Sequence, residues 1–178
     1  MLEPQKLLVV QLAAFLGISL AYLTPSPTLG AEPSWLPPVV GSNLVNDYRQ
    51  SETPYSAGHR GVDYRAKLGQ GVFAPDSGTV HFSGWVVNRP VLSISHQGEL
   101  LSSFEPVCSF LKVGEKVSRG DLIGEVCEAD ANYSMHCEKL CLHFSARRSG
   151  SYLSPLWLTG ELLPSVLLPW DDSDQALG

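Results

Sequence analysis

Leu140-Cys141-Leu142-His143-Phe144-Ser145-Ala146 alternates apolar side chains with small or polar ones. A period of two puts Leu140, Leu142, Phe144 and Ala146 on one face of a strand. Cys141, His143 and Ser145 share the other. Val91-Leu92-Ser93-Ile94-Ser95 alternates in the same way. Working outward from these two, short β-rich runs recur at 71–74, 78–82 and 100–104, with Gly or Pro between them. Residues 112–126 read as two short strands turned at Gly114 and Gly120, and His96 reads as a turn residue closing the strand at 91–95. No stretch holds a long 3.6-residue period, and only 152–158 is read as a single helical turn, around Pro155. The sixteen glycines and thirteen prolines suit many turns and short strands rather than a helix bundle. The expected fold class is all-β: a small antiparallel sheet or barrel-like domain over about residues 40–160, followed by a C-terminal tail at 161–178.

A length of 178 residues accommodates one such domain plus a targeting segment. The net charge is −6 and no Lys/Arg block occurs, so the basic footprint of a nucleic-acid binder is missing. Residues 7–23 read LLVVQLAAFLGISLAYL, preceded by Lys6 and followed by a Pro/Ser/Thr segment and Thr28-Leu29-Gly30-Ala31. These are the parts of a secretory signal over 1–31, with small residues near a cleavage point. The apolar run of about 17 residues is also at the lower limit for spanning a bilayer, so an uncleaved N-terminal membrane anchor is the competing reading. Either way the chain is expected to be exported, to the cell envelope or beyond it. Residues 32–40 are Pro-rich and read as a linker, or as an arm lying over the domain.

Five histidines are present, and two lie in settings that suit chemistry. In Gly58-His59-Arg60-Gly61-Val62-Asp63-Tyr64, a bend around Gly61 can bring an imidazole and a carboxylate to one point. Nitrogen and oxygen donors of this kind suit Zn²⁺. His143 lies on the strand that opened this section. Three protein ligands, His59, Asp63 and His143, would leave a fourth position for water, the arrangement of a catalytic rather than a structural zinc. Other chemistries are not supported: no Lys-Ser/Thr follows a Gly-x₄-Gly frame, and there is no Gly-x-Ser-x-Gly elbow.

The order of the pieces adds to this. GHRGVDY (58–64), GxxVxAPxxGTVxFSG (69–84), a strand ending in His96, VGEKVSRGDLIGEV (113–126), LHFSAR (142–147) and Tyr152-Leu153-Ser154-Pro155 follow one another. Together they resemble the lysostaphin/LytM-like zinc metalloendopeptidases of bacterial cell walls, over about residues 40–158. Phe104-Glu105-Pro106-Val107 and the run from His136-Cys137 to Cys141-Leu142-His143 look most like an actinobacterial branch. The resemblance implies a small antiparallel β-domain with a zinc groove, Zn²⁺ on His59, Asp63 and His143, and peptidoglycan peptides as substrate. It also exposes two departures. The first His of the family's His-x-His motif is Cys141 here, and Pro106 stands where a second helper His falls by register. Glu105 and His136 are the candidate replacements in catalysis. The alternative implied function is a catalytically impaired domain that binds peptidoglycan or regulates a partner cell-wall hydrolase.

Four cysteines in an exported chain are expected to form disulfides, and three pairings are possible. Local spacing favours Cys137 with Cys141, leaving Cys108 with Cys127 around a Gly-turned hairpin. An oxidised Cys141 is neither base nor ligand, whereas a reduced one would be a fourth ligand closing the metal site.

Overall fold

Each alternating run becomes a strand whose apolar face meets the apolar faces of its neighbours. The computed structural model describes residues 35–53, 56–133 and 137–162. Its elements are β1 (Leu44–Asn46), β2 (Val62–Arg65), β3 (Gly71–Phe73), β4 (Gly78–Val86), β5 (Arg89–Ser95), β6 (Leu100–Glu105), β7 (Val107–Cys108), β8 (Lys116–Val117), β9 (Leu122–Val126), β10 (Cys141–Arg148), β11 (Ser151–Leu153) and α1 (Pro155–Thr159). All strand pairs are antiparallel. The larger sheet runs β1-β2-β10-β6-β5-β4-β8, with β11 hydrogen-bonded to β10, and the smaller runs β3-β9-β7. The fold is all-β, as the alternation implies. The expected leader at 1–31, His136 and residues 163–178 of the tail lie outside the described residues. Among those described, no helix is long and apolar enough to cross a membrane.

Register explains the core. Leu92, Phe104, Phe144 and Val62 stand opposite one another on four neighbouring strands, all fully buried. Phe104 and Phe144 stack with ring centroids 5.2 Å apart. Cross-strand pairs of this kind are the unit of sheet stabilisation. Residues one step along each strand must face the other way, and they form the site described below.

Several local expectations are corrected. Residues 112–126 do not form a hairpin: β8 pairs with β4 of the larger sheet, whereas β9 pairs with β3 and β7 of the smaller. His96 is no turn residue. It is buried, with Nδ1 2.9 Å from the Ser77 carbonyl and Nε2 2.8 Å from Ser102 Oγ. The Pro-rich segment supplies Trp35 and Val39 to the core, each 2 % exposed. Trp35 N donates to the Leu158 carbonyl at 3.1 Å and Leu36 N to that of Pro75 at 2.8 Å. The helical turn at Pro155 forms as expected, with Gly160 closing it in a left-handed conformation.

Candidate metal centre

The polar face of β10 carries the site. His143 stands opposite Asp63 of β2 on one side and Glu105 of β6 on the other, so the three share one face. His59 lies just before β2, held by a bridge to Arg49. Two glycines permit this packing. A Cβ on Gly61 would come within 2.7 Å of the His143 ring and collide with the Phe144 carbonyl. A Cβ on Gly58 would stand 2.8 Å from the Arg49 carbonyl and collide with Ser51 Oγ.

Three donors converge. His59 Nε2 is 3.2 Å from Asp63 Oδ2 and 3.2 Å from His143 Nδ1, and His143 Nδ1 is 2.8 Å from Asp63 Oδ1. Donors bound at about 2.0–2.1 Å around a tetrahedral zinc stand about 3.3 Å apart, so the set fits such an ion. Outer contacts fix these donors. His59 Nδ1 donates to the Asp47 carbonyl at 2.7 Å, which turns the Nε2 lone pair inward. Asn46 Nδ2 donates to Asp63 Oδ2 at 2.8 Å. Asp63 is fully buried. Burial pushes its carboxyl up, but the hydrogen bonds from His143, His59 and Asn46 outweigh this and hold it well below the usual carboxylate range. His59 is raised, chiefly by its hydrogen bond to Asp63 and against the effect of burial.

The cysteines pair as Cys108–Cys127 and Cys137–Cys141. Cys137 Sγ lies 3.5 Å from Asp63 Oδ2, but a disulfide sulfur has neither a proton to donate nor a thiolate charge. The closed site with Cys141 as fourth ligand is therefore set aside.

Glu105 borders the same cleft as His143, a cavity of about 490 Å³. Its Oε2 accepts from Arg89 Nε at 2.7 Å. Pro106 follows a cis Glu105–Pro106 peptide and is buried, where the chain leaves the larger sheet for the smaller. His81, given no role from sequence, lines the cleft wall. Asn46, the Asp47 carbonyl, Arg89 and Tyr133, with Arg89 5.3 Å over the Tyr133 ring, were also invisible to motif reading. The one signal that could have found Asn46 and Asp47 is a pairing of 44–46 with 63–64, which spans some twenty residues and leaves no local pattern.

The fold has counterparts among known proteins. An uncharacterized protein of Mycobacterium tuberculosis is 36 % identical over 125 residues, 65 % of this chain and 47 % of that protein. Its counterpart in Mycobacterium bovis matches equally. The chain thus spans about half the length of these curated relatives, which fit the actinobacterial branch. Among solved structures, the catalytic domain of the antimicrobial peptidase lysostaphin from Staphylococcus simulans superposes with a TM-score of 0.55 at 19 % identity, covering 67 % of this chain and 92 % of that one. A zinc containing peptidase from Vibrio cholerae gives 0.55 at 18 %, covering 65 % and 37 %. A chain of the SpoIIQ–SpoIIIAH pore forming complex gives 0.61 at 20 %, covering 72 % and 92 %. At these identities the likeness is one of fold. The model of peptidase family M23 matches residues 57–155, from just before His59 to the start of α1, and the chain belongs to that family.

Proposed function

We propose that this chain is an exported, zinc-dependent endopeptidase acting on peptide cross-links of bacterial peptidoglycan. The observation that carries the reading is the convergence of His59 Nε2, an Asp63 carboxylate and His143 Nδ1 beside an open cleft, in a chain of a peptidase family. Zinc held by these three would polarise a peptide carbonyl and bring the pKa of water toward about 7. The chain's own residues supply the rest. The Asp47 carbonyl and Asn46 orient two of the donors. Glu105, on the face and register of His143, is the candidate carboxylate to take up a proton from attacking water, with Arg89 fixing its position. His136 is the second candidate. Digestion of purified cell-wall peptides, with His59→Ala as control, tests the reading: zinc-dependent fragments are expected from the parent and none from the control. Glu105→Gln or His136→Ala should lower turnover by at least ~10²-fold with zinc retained.

A second reading has its own support. Cys141 is locked in a disulfide and Pro106 is buried at the other helper position, so neither can move a proton. A domain that keeps the groove and the metal but not turnover would bind wall peptides or regulate another cell-wall hydrolase. Peptide binding without fragments at any pH from about 5 to 9 would select this reading over the first.

A further inference from the structure

The cleft runs on from the metal donors along the outer face of the larger sheet, and its floor is a row of hydroxyls. Ser93 of β5, Ser103 of β6 and Ser145 of β10 are in register on neighbouring strands, with Ser93 and Ser103 Oγ 2.8 Å apart. Two residues further along β10, on the same face, stands Arg147. Its guanidinium lies 5.4 Å from the centroid of the Tyr152 ring, and that of Arg60 lies 5.7 Å from the same centroid. The local charge is opposite to that of the chain. The net charge is −6, yet Arg147 adds a positive charge to the cleft wall, whose lining carboxylate, Glu105, is engaged by Arg89. Among the described residues no carboxylate pairs with Arg147.

We propose that Arg147 binds a carboxylate of the peptide lying in this cleft, and so selects acidic peptides. The inference rests on the reading of the cleft as a site for wall peptides. Contact with a ring engages the face of a guanidinium and leaves its in-plane N–H fork for a carboxylate. The half-buried ring also limits the side-chain freedom lost on binding. Arg147 lies four steps along the strand from His143, about 13 Å between Cα atoms at ~3.3 Å per residue. Allowing for the reach of the side chain, an extended peptide would place the recognised carboxylate about two to four residues from the bond at the metal. The hydroxyl row serves any extended backbone, whereas Arg147 supplies the selection.

The test uses the zinc-loaded full chain, a preparation of cross-linked wall peptides, and the same preparation after carbodiimide and ammonia convert its carboxylates to amides. Calorimetric titration should show the amidated peptides binding about tenfold more weakly. In Arg147→Gln, with zinc content and circular dichroism unchanged, the two preparations should bind alike. Arg147→Lys should restore part of the preference. A purely structural role at Tyr152 would weaken both preparations and leave their ratio intact, which overturns the inference. Equal binding of both by the parent chain, or binding of neither, also overturns it. A carboxylate preference without cleavage would support it and overturn only the endopeptidase reading. Cleavage of both preparations with equal affinity would do the reverse.

Discussion

Gly61 shows how tightly single residues govern the site. The backbone of the loop passes directly under the His143 ring, where a methyl group would sit 2.7 Å from two ring atoms. Gly61→Ala must therefore displace His143 or the loop. It is expected to lower zinc content well below one per chain, read by metal analysis beside His143→Ala, which should bind none. Zinc retained at parental levels by the triple substitution His59→Ala, Asp63→Ala, His143→Ala would place the metal elsewhere. His96 gives a second expectation, in pH. Burial lowers its pKa in the folded state, against the raising effects of the Ser77 carbonyl and Asp76. The unfolded chain, with an ordinary value of about 6.5, therefore takes up the proton first. The stabilisation is complete above that value and is lost as pH falls through it toward the folded one. Between pH 7 and 5 the parent should lose more thermal stability than His96→Gln. Comparing the two slopes cancels the opposite contribution of His59, whose folded value is raised.

At the scale of elements, β10 is the strand on which everything converges. One face carries Leu142, Phe144 and Ala146 into the core, and the other presents His143, Ser145 and Arg147. A slip of one residue would exchange the two sets, so the buried aromatic row fixes the register of the site as well as the fold. The disulfides bracket this strand and the smaller sheet. Cys137–Cys141 closes the loop that leads into β10, and Cys108–Cys127 ties the end of β7 to the residue after β9. Chain-entropy reasoning gives about 3 kcal/mol for the longer loop and about 2 kcal/mol for the shorter. Paired Cys→Ser replacements should lower unfolding free energy in that order when measured by denaturant titration. The Cys137→Ser, Cys141→Ser variant should in addition loosen the wall of the site beside Asp63, read as weaker zinc retention against a chelator.

At the scale of the described molecule, the arm before β1 is part of the core. Trp35 lies 4.9 Å from the His96 ring and 6.0 Å from that of Phe144, and its backbone N–H reaches Leu158 after β11. The arm thus links segments more than a hundred residues apart in sequence. Trp35→Ala leaves a large void, and a loss of about 3–5 kcal/mol is expected in denaturant unfolding. A change below about 1 kcal/mol would show that the arm contributes little to holding the fold.

Alternation in 91–95 and 140–146, together with Gly/Pro punctuation, was enough to establish an all-β chain, because a period of two is a local property that each strand carries by itself. The ordered motifs were enough to mark His59, Asp63 and His143 as candidates and to fix the family. Local spacing reached both disulfides. What stayed hidden was set by partners distant along the chain. The strands β1 and β2 are too short to declare themselves, so Asn46 and the Asp47 carbonyl could not be assigned to the site before Leu44 was seen opposite Tyr64. Which way Glu105 faces follows only from pairing with β10, which places it opposite His143. Ser93, Ser103, Ser145 and Arg147 look like ordinary polar positions in their own strands. Only the lateral register of three strands lines them up as the floor of one cleft, because hydrogen bonding across a sheet joins residues that sequence keeps apart.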